Sequence, residues 1–188
     1  SIMTSDRSIF GDDKKHENHL RLLEQHVIQP PLLQKIKDVK SLENLYNLLL
    51  QIPTFGQFLA FQYAIDINYS TLVDFNEMDF VKAGPGAIDG IQKCFEDLGD
   101  YSYEDIIKYM SDNQSFYFDK YELDFQNLWG RPLQLIDCQN LFCEVDKYSR
   151  VAHPEIAGAS NRKRIKQIFR PSLEKIEYFF PPKWGLEA

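Results

Sequence analysis

The sequence predicts a mostly α protein built as a single helical domain. Three observations carry this reading. Apolar residues recur at three- and four-residue spacings along much of the chain, strict alternation is scarce, and helix caps or Gly/Pro stops stand at the ends of the periodic runs. With 188 residues, 44% of them hydrophobic and 14% aromatic, the chain supplies one sizeable core. Fourteen Phe and ten Tyr argue against disorder. The polar segment 1–15 is expected to be a mobile arm, and residues 16–188 the helical domain.

The elements follow in order. Helical spacing begins in HENHLRLLEQHVIQ, and Pro30 and Pro31 stop or restart it. In SLENLYNLLLQI, Ser41 is placed to cap a helix whose Leu42, Leu45, Tyr46 and Leu49 fall on one face. Pro53 and Gly56 mark a turn, after which Phe58 to Ile67 is apolar nearly all round, as in a helix buried on most sides. Asn76 is placed to cap a short helix in TLVDFNEMDF. A Gly84-Pro85-Gly86 turn leads into AIDGIQKCFEDLG, a helix ended by Gly99. SYEDIIKYMSDNQ is capped by Ser102, with Glu104 and Asp105 in the first turn. The aromatic run SFYFDKYELDFQNLWGRP fits strand or loop. QLIDCQNLFCEVDKYSRVA returns to helical spacing with Leu141, Val145 and Tyr148 as a stripe. The tail EYFFPPKWGLEA reads as an extended strap over the core.

The formal net charge of -7 does not suit a protein that coats nucleic acid by bulk attraction, but it leaves room for a local basic patch. Three cysteines, Cys94, Cys138 and Cys143, point to a reducing compartment, and their spacing with His153 matches no zinc site. No cofactor and no metal are expected. No apolar run is long enough to span a bilayer, and the polar start lacks a signal-peptide core. The expected location is therefore intracellular, nuclear in a eukaryote and cytoplasmic in a bacterium.

Four features are candidates for chemistry. A glycine turn entering a helix leaves backbone N–H groups free to bind an anion, and both Gly84-Pro85-Gly86-Ala87 and the turn at Gly56 have this layout. A plain turn between helices fits the same residues. On a helix, Asp146 and Arg150 stand one turn apart, as do Glu144 and Lys147; these are either two surface ion pairs or the mouth of a pocket. In the pocket reading a carboxylate acts as base or stabilises a positive sugar, and Lys147 acts as nucleophile or phosphate ligand. Asp66, near the end of an apolar helix, needs a partner or faces a substrate. Arg162, Lys163, Arg164, Lys166 and Arg170 form a basic cluster suited either to phosphates or to a solvated face. No G-x-x-x-x-G-K-[ST] phosphate loop occurs.

Taken together, three segments resemble a known family. FLAFQYAIDINY, GPGAIDGI and CEVDKYSR match the pattern of the helical domain shared by α-glutamyl/putrescinyl thymine pyrophosphorylases and 5-hydroxymethyluracil DNA kinases, a group related to helix–hairpin–helix DNA glycosylases. The residues concerned are Phe58, Leu59, Ala60, Gln62, Asp66, Asn68 and Tyr69, then Gly84 to Ala87 with Gly90 and Ile91, then Cys143, Glu144, Asp146, Lys147, Tyr148 and Arg150.

The resemblance implies a glycosylase-like helical fold. It implies a domain that binds DNA and acts on, or recognises, 5-modified thymine or uracil. Asp146 would be the catalytic carboxylate, with Glu144, Lys147 and Asp66 in support. Gly84, Pro85, Gly86, Ala87 and Gly56, with Arg162, Lys163, Arg164 and Lys166, would contact DNA. The implied partners are modified DNA and a separate kinase or other base-modifying enzyme, with no membrane. Whether the domain is itself a transferase or glycosylase, or a non-catalytic reader or protein-interaction domain, stays open. One departure from the glycosylase hairpin matters: Asp89 stands in the first helical turn, where it would repel a phosphate that it faced, cap the Gly86 and Ala87 N–H groups itself, or point away and leave the grip free.

Overall fold

The computed structural model describes residues 7–28, 31–126, 129–165, 170–174 and 177–186. Among them the chain is mostly α, as its periodicity predicts: nine α-helices and no strand. Contacts gather the chain into two compact units, Ser1–Phe80 and Val81–Ala188.

The first unit holds α1 (Arg7–Phe10), α2 (Lys15–Leu22), α3 (Leu32–Asp38), α4 (Leu42–Leu50) and α5 (Gln57–Asn68), with a π-helical turn at Leu23–Ile28. Of the segment expected to be an arm, residues 1–6 lie outside the described residues. Phe10 is buried, its ring edge on His26, and Asp12 exchanges backbone hydrogen bonds with the buried Asn18 amide. Ser41 caps α4 by accepting from the Asn44 N–H at 3.1 Å. Its Leu42, Leu45, Tyr46 and Leu49 face inward against Ala60, Phe61, Ala64 and Ile65 of α5, and Phe80 closes on the rings of Tyr46 and Phe61.

Helix α5 is less enclosed than its composition suggests, because Phe58 and Tyr63 stand at the surface. Asn68 ends it. Its amide donates to the Phe75 carbonyl at 3.0 Å and accepts from the Phe75 N–H at 2.9 Å, so the loop after the helix is pinned to a side chain that is fully buried. Asn76 caps no helix; it accepts from the Met78 N–H in a turn.

The second unit is built on α9 (Leu135–Ala152), which packs along α6 (Pro85–Cys94) and more briefly on α7 (Tyr103–Asp112). Helix α8 (Gln114–Lys120) occupies the aromatic run that fits strand or loop by sequence. Helix α7 begins with a reciprocal capping box between Ser102 and Asp105, as its sequence suggests. The buried face of α9 is Leu135, Ile136, Cys138, Gln139, Phe142, Asp146 and Ser149, so the Leu141 and Tyr148 stripe points outward instead. Helix α6 stops at Cys94, short of Gly99. In the tail, Tyr178 and Phe180 pack against Trp129, and Arg131 lies 4.0 Å over the Trp184 ring. The strap therefore rests on residues 129–131.

The glycines of α6 are there for closeness. Gly84 is the N-cap and Pro85 the first helical residue, an arrangement proline favours because it has no N–H to lose. A Cβ on Gly86 would come 2.9 Å from Cys143 Sγ, and one on Gly90 would come 2.0 Å from the Phe142 carbonyl oxygen. The two glycines, one turn apart, thus let α6 touch the backbone of α9. Gly90→Ala is expected to destabilise the protein by at least about 3 kcal/mol, since backbone cannot give way to the methyl. Gly86→Ala should cost less, because the Cys143 side chain can shift. Urea unfolding of both variants checks the order.

Candidate nucleic-acid interface

Close contact of α6 and α9 sets two carboxylates and three cations against each other. Asp89 and Lys93 stand one turn apart on α6, and Asp146 and Arg150 one turn apart on α9. Lys93 Nζ reaches Asp146 Oδ1 at 2.8 Å, and Arg150 donates to Asp146 Oδ2 through Nη2. Asp146 is 1% exposed, Lys93 3% and Arg150 9% by side chain, so the group is out of water.

The chain after α9 closes over this group. The Ser160 N–H and hydroxyl both donate to Asp89, and Gln92 accepts from the Ala159 N–H at 3.0 Å. Gly158 passes so near Asp89 that a Cβ would sit 3.0 Å from its carboxylate. Arg162 then bridges both carboxylates, at 2.9 Å to Asp89 and 3.4 Å to Asp146, and donates to the Pro85 carbonyl at 2.9 Å.

Asp89 therefore neither caps its own helix nor faces outward; it anchors the 158–162 segment. In the cluster as a whole the cations outnumber the carboxylates: Lys93, Arg150 and Arg162 against Asp89 and Asp146 leave one positive charge in surplus. Outward from Arg162, Lys163 and Arg164 stand exposed. Lys166 lies outside the described residues.

Burial by itself would raise the Asp146 carboxyl, but hydrogen bonds from Arg150 and Lys93, with their charges, outweigh it and hold Asp146 below the ordinary range. Asp89 is shifted the same way: burial is outweighed by the Ser160 hydroxyl and N–H and by Arg162. The Asp146 bond lifts Arg150 above its usual value. In this arrangement Asp146 is an ionised counter-ion with its oxygens engaged. Glu144 and Lys147 pair with each other at the surface of α9. Both ion pairs drawn from the spacing are thus present, one outside and one deeply buried.

The glycine turn is also engaged. The Gly84 N–H donates to the buried Gln139 side chain at 3.1 Å, and the Ala83 N–H donates to Glu104 at 3.3 Å. Residues 69–84 separate α5 from α6 without a helix, so Gly84-Pro85-Gly86 is not a short turn between consecutive helices. Gly56 caps α5 with open space around its α-carbon.

Asp66 is on α5 in the first unit, exposed and without a polar partner among the described residues; burial of part of its surroundings raises its carboxyl. One turn earlier the Gln62 Nε2 is buried and unpartnered. An apolar cavity of about 320 Å3 opens in the second unit beside Phe95, Met110, Tyr117, Leu141 and Val145. Its Gln114 amide is spent on Ser111 and Leu133, and the Tyr117 hydroxyl on Tyr109, so it offers little to read a base edge. Burial pushes the Cys138 thiol up to about 11, which keeps it protonated. Among the described residues no cluster of metal ligands occurs, and no helix is long and apolar enough to cross a membrane.

The sequence pattern reached Asp146 and Arg150 but not Lys93 as a partner of Asp146, nor Ser160 and Arg162 as partners of Asp89. The i, i+4 spacing of Asp89 and Lys93 on a face interrupted by glycine was the available signal.

A family model described as the helical domain of 5-hmdU DNA kinase matches residues 2–158. A 5-hmdU DNA kinase of Bacillus phage SP10 is 28% identical over 115 residues, 57% of this chain and 18% of that protein. The chain thus matches less than a fifth of that relative's length. No solved structure matches.

Two expectations follow from the charges. Both buried carboxyls titrate lower in the folded state, so their stabilisation is complete above the unfolded carboxyl range, about pH 4, and is lost as pH falls through the lower folded values. Asp146→Asn should cost about 3–5 kcal/mol at neutral pH by leaving cations unpaired, and should flatten the acid limb of a stability–pH profile. Asp66→Asn should behave oppositely: a raised carboxyl disfavours the charged form, so the variant keeps or gains stability at neutral pH. Urea unfolding across pH distinguishes the two.

Proposed function

Because the chain belongs to the 5-hmdU DNA kinase helical-domain family, we propose that it holds DNA carrying 5-hydroxymethyluracil or a related 5-modified thymine, and positions that base for chemistry completed by a separate kinase or other base-modifying partner. The observation that carries this reading is the cation surplus at the α6–α9 crossing, which continues into exposed Arg162, Lys163 and Arg164 on a chain of net charge -7. On an acidic body, concentrated positive charge attracts a phosphate backbone locally without coating the protein. The backbone contact in this reading falls on Arg162, Lys163 and Arg164. Gly84 to Ala87 contribute by fixing α6 against α9; Gly56 and Lys166 stay in this reading as further DNA contacts on their residue type alone.

Positioning is favoured over base removal by Asp146 because its oxygens are occupied by Lys93, Arg150 and Arg162. A carboxylate held ionised among cations is a weak proton acceptor. Transfer of an amine or a phosphoryl group to the 5-substituent falls to the partner, which also supplies the phosphate donor, since this chain carries no phosphate loop.

The test is binding to duplexes with and without 5-hydroxymethyluracil over a range of salt. Wild-type affinity should fall linearly with log salt at a slope of about -0.9 per phosphate neutralised. Lys163→Glu with Arg164→Glu should flatten that slope by about 2 and lower low-salt affinity by at least about tenfold. Tighter binding of the modified duplex is expected. Absence of wild-type binding at low salt overturns the reading.

A further inference from the structure

Beside the charge cluster lies a small cavity of about 80 Å3, lined by Arg150, Asn161, Arg162 and Lys163 on one side and by Pro154, Ile156 and Ala157 on the other. Arg150 is the unusual member. Its Nη2 holds Asp146 and its Nη1 donates to the Arg164 carbonyl at 2.8 Å, but its Nε is buried and has no partner. A buried, charged N–H left without an acceptor is costly, so an arrangement that keeps one points to an acceptor that enters later. The Arg162 donors at Nε and Nη2 are used internally; its Nη1 and the Lys163 amine have no partner among the described residues. Asn161 is held at φ 51°, a left-handed conformation that fixes the loop between Gly158 and Arg162.

We propose that this cavity is a phosphate site: it takes one phosphate group, with Arg150, Arg162 and Lys163 as its ligands and Pro154, Ile156 and Ala157 completing its lining. The chemistry follows from the parts. Arg150, Arg162 and Lys163 put three positive charges on its lining and, among the described residues, no carboxylate lines it, so an anion that accepts hydrogen bonds suits it. Guanidinium N–H groups match tetrahedral oxyanions in particular. At about 80 Å3 the cavity has room for a small oxyanion. Asp89 and Asp146, the carboxylates paired with its arginines, are neutralised by Arg162, Arg150 and Lys93, and the side-chain charges lining the cavity are positive. The phosphate arrives either as a diester of a DNA strand or as a free or monoester phosphate. The diester source rests on the DNA-holding reading above; the second does not.

The test uses the full chain and two variants that leave the buried ion pairs intact. Ala157→Leu fills the cavity without changing charge, and Ala157 is exposed, so the fold should persist. Lys163→Gln removes one ligand. Inorganic phosphate is titrated by calorimetry and 31P NMR, and a DNA duplex in parallel. Phosphate binding weakened about tenfold by each variant supports the site. If phosphate alone does not bind but Ala157→Leu weakens DNA binding by a similar factor, the site stands and its ligand is a diester. If phosphate binds and both variants leave it unchanged, or if neither phosphate nor DNA responds to Ala157→Leu, the site is overturned. With phosphate binding also indifferent to Ala157→Leu, DNA binding that responds to Lys163→Glu plus Arg164→Glu but not to Ala157→Leu removes the cavity alone. Phosphate binding lost in Ala157→Leu, with no DNA binding at low salt, removes the DNA-holding reading alone.

Discussion

A single buried carboxylate organises the second unit. Asp146 sits between Lys93 of α6, Arg150 of its own helix and Arg162 of the following segment, almost wholly removed from water. Burying it would be prohibitive alone; burying Lys93 and Arg150 without it would be worse. Their mutual pairing offsets the loss of hydration, and the geometry must be close for that to hold. Everything else in the unit serves that closeness. Gly90 removes the side chain that would hold α6 off the Phe142 backbone, and Gly86 does the same at Cys143. The Asp89 carboxylate then draws in Ser160 and Arg162, which brings the basic segment to the surface at a defined place.

A cluster that carried equal numbers of acids and bases would be inert. Here the surplus cation leaves unspent hydrogen-bond capacity on Arg150 and Arg162, next to exposed Lys163 and Arg164. The family match covers residues 2–158 and so includes Asp89, Lys93, Asp146 and Arg150, while Ser160, Arg162 and Lys163 follow it. The matched stretch builds the buried half of the cluster, and the residues after it supply the half that meets solvent.

The glycine turn illustrates what a motif does and does not say. Gly84-Pro85-Gly86 reads equally as a phosphate grip or as a plain turn. The structure adds what the residues do within the fold: Gln139 takes the Gly84 N–H, Cys143 covers the Gly86 α-carbon, and the Asp89 carboxylate points to Ser160 instead of to the helix start. The proline starts the helix, and the glycines permit contact between two backbones.

The sequence by itself determined the helical class, the capped starts of α4 and α7, the inward face of α4 and the family pattern, because these depend on spacing along one helix and on local hydrogen bonds. It also placed Asp146 beside Arg150 and Glu144 beside Lys147, since i and i+4 or i and i+3 neighbours meet on any helix. Only the tertiary structure decided which pair is buried, that the Leu141–Tyr148 stripe of α9 faces out, and that Asp89, Lys93, Ser160 and Arg162 converge on Asp146. Those contacts join residues far apart in the chain, and their energies depend on how close two helices come and how much water leaves. No periodicity within a single segment encodes that distance.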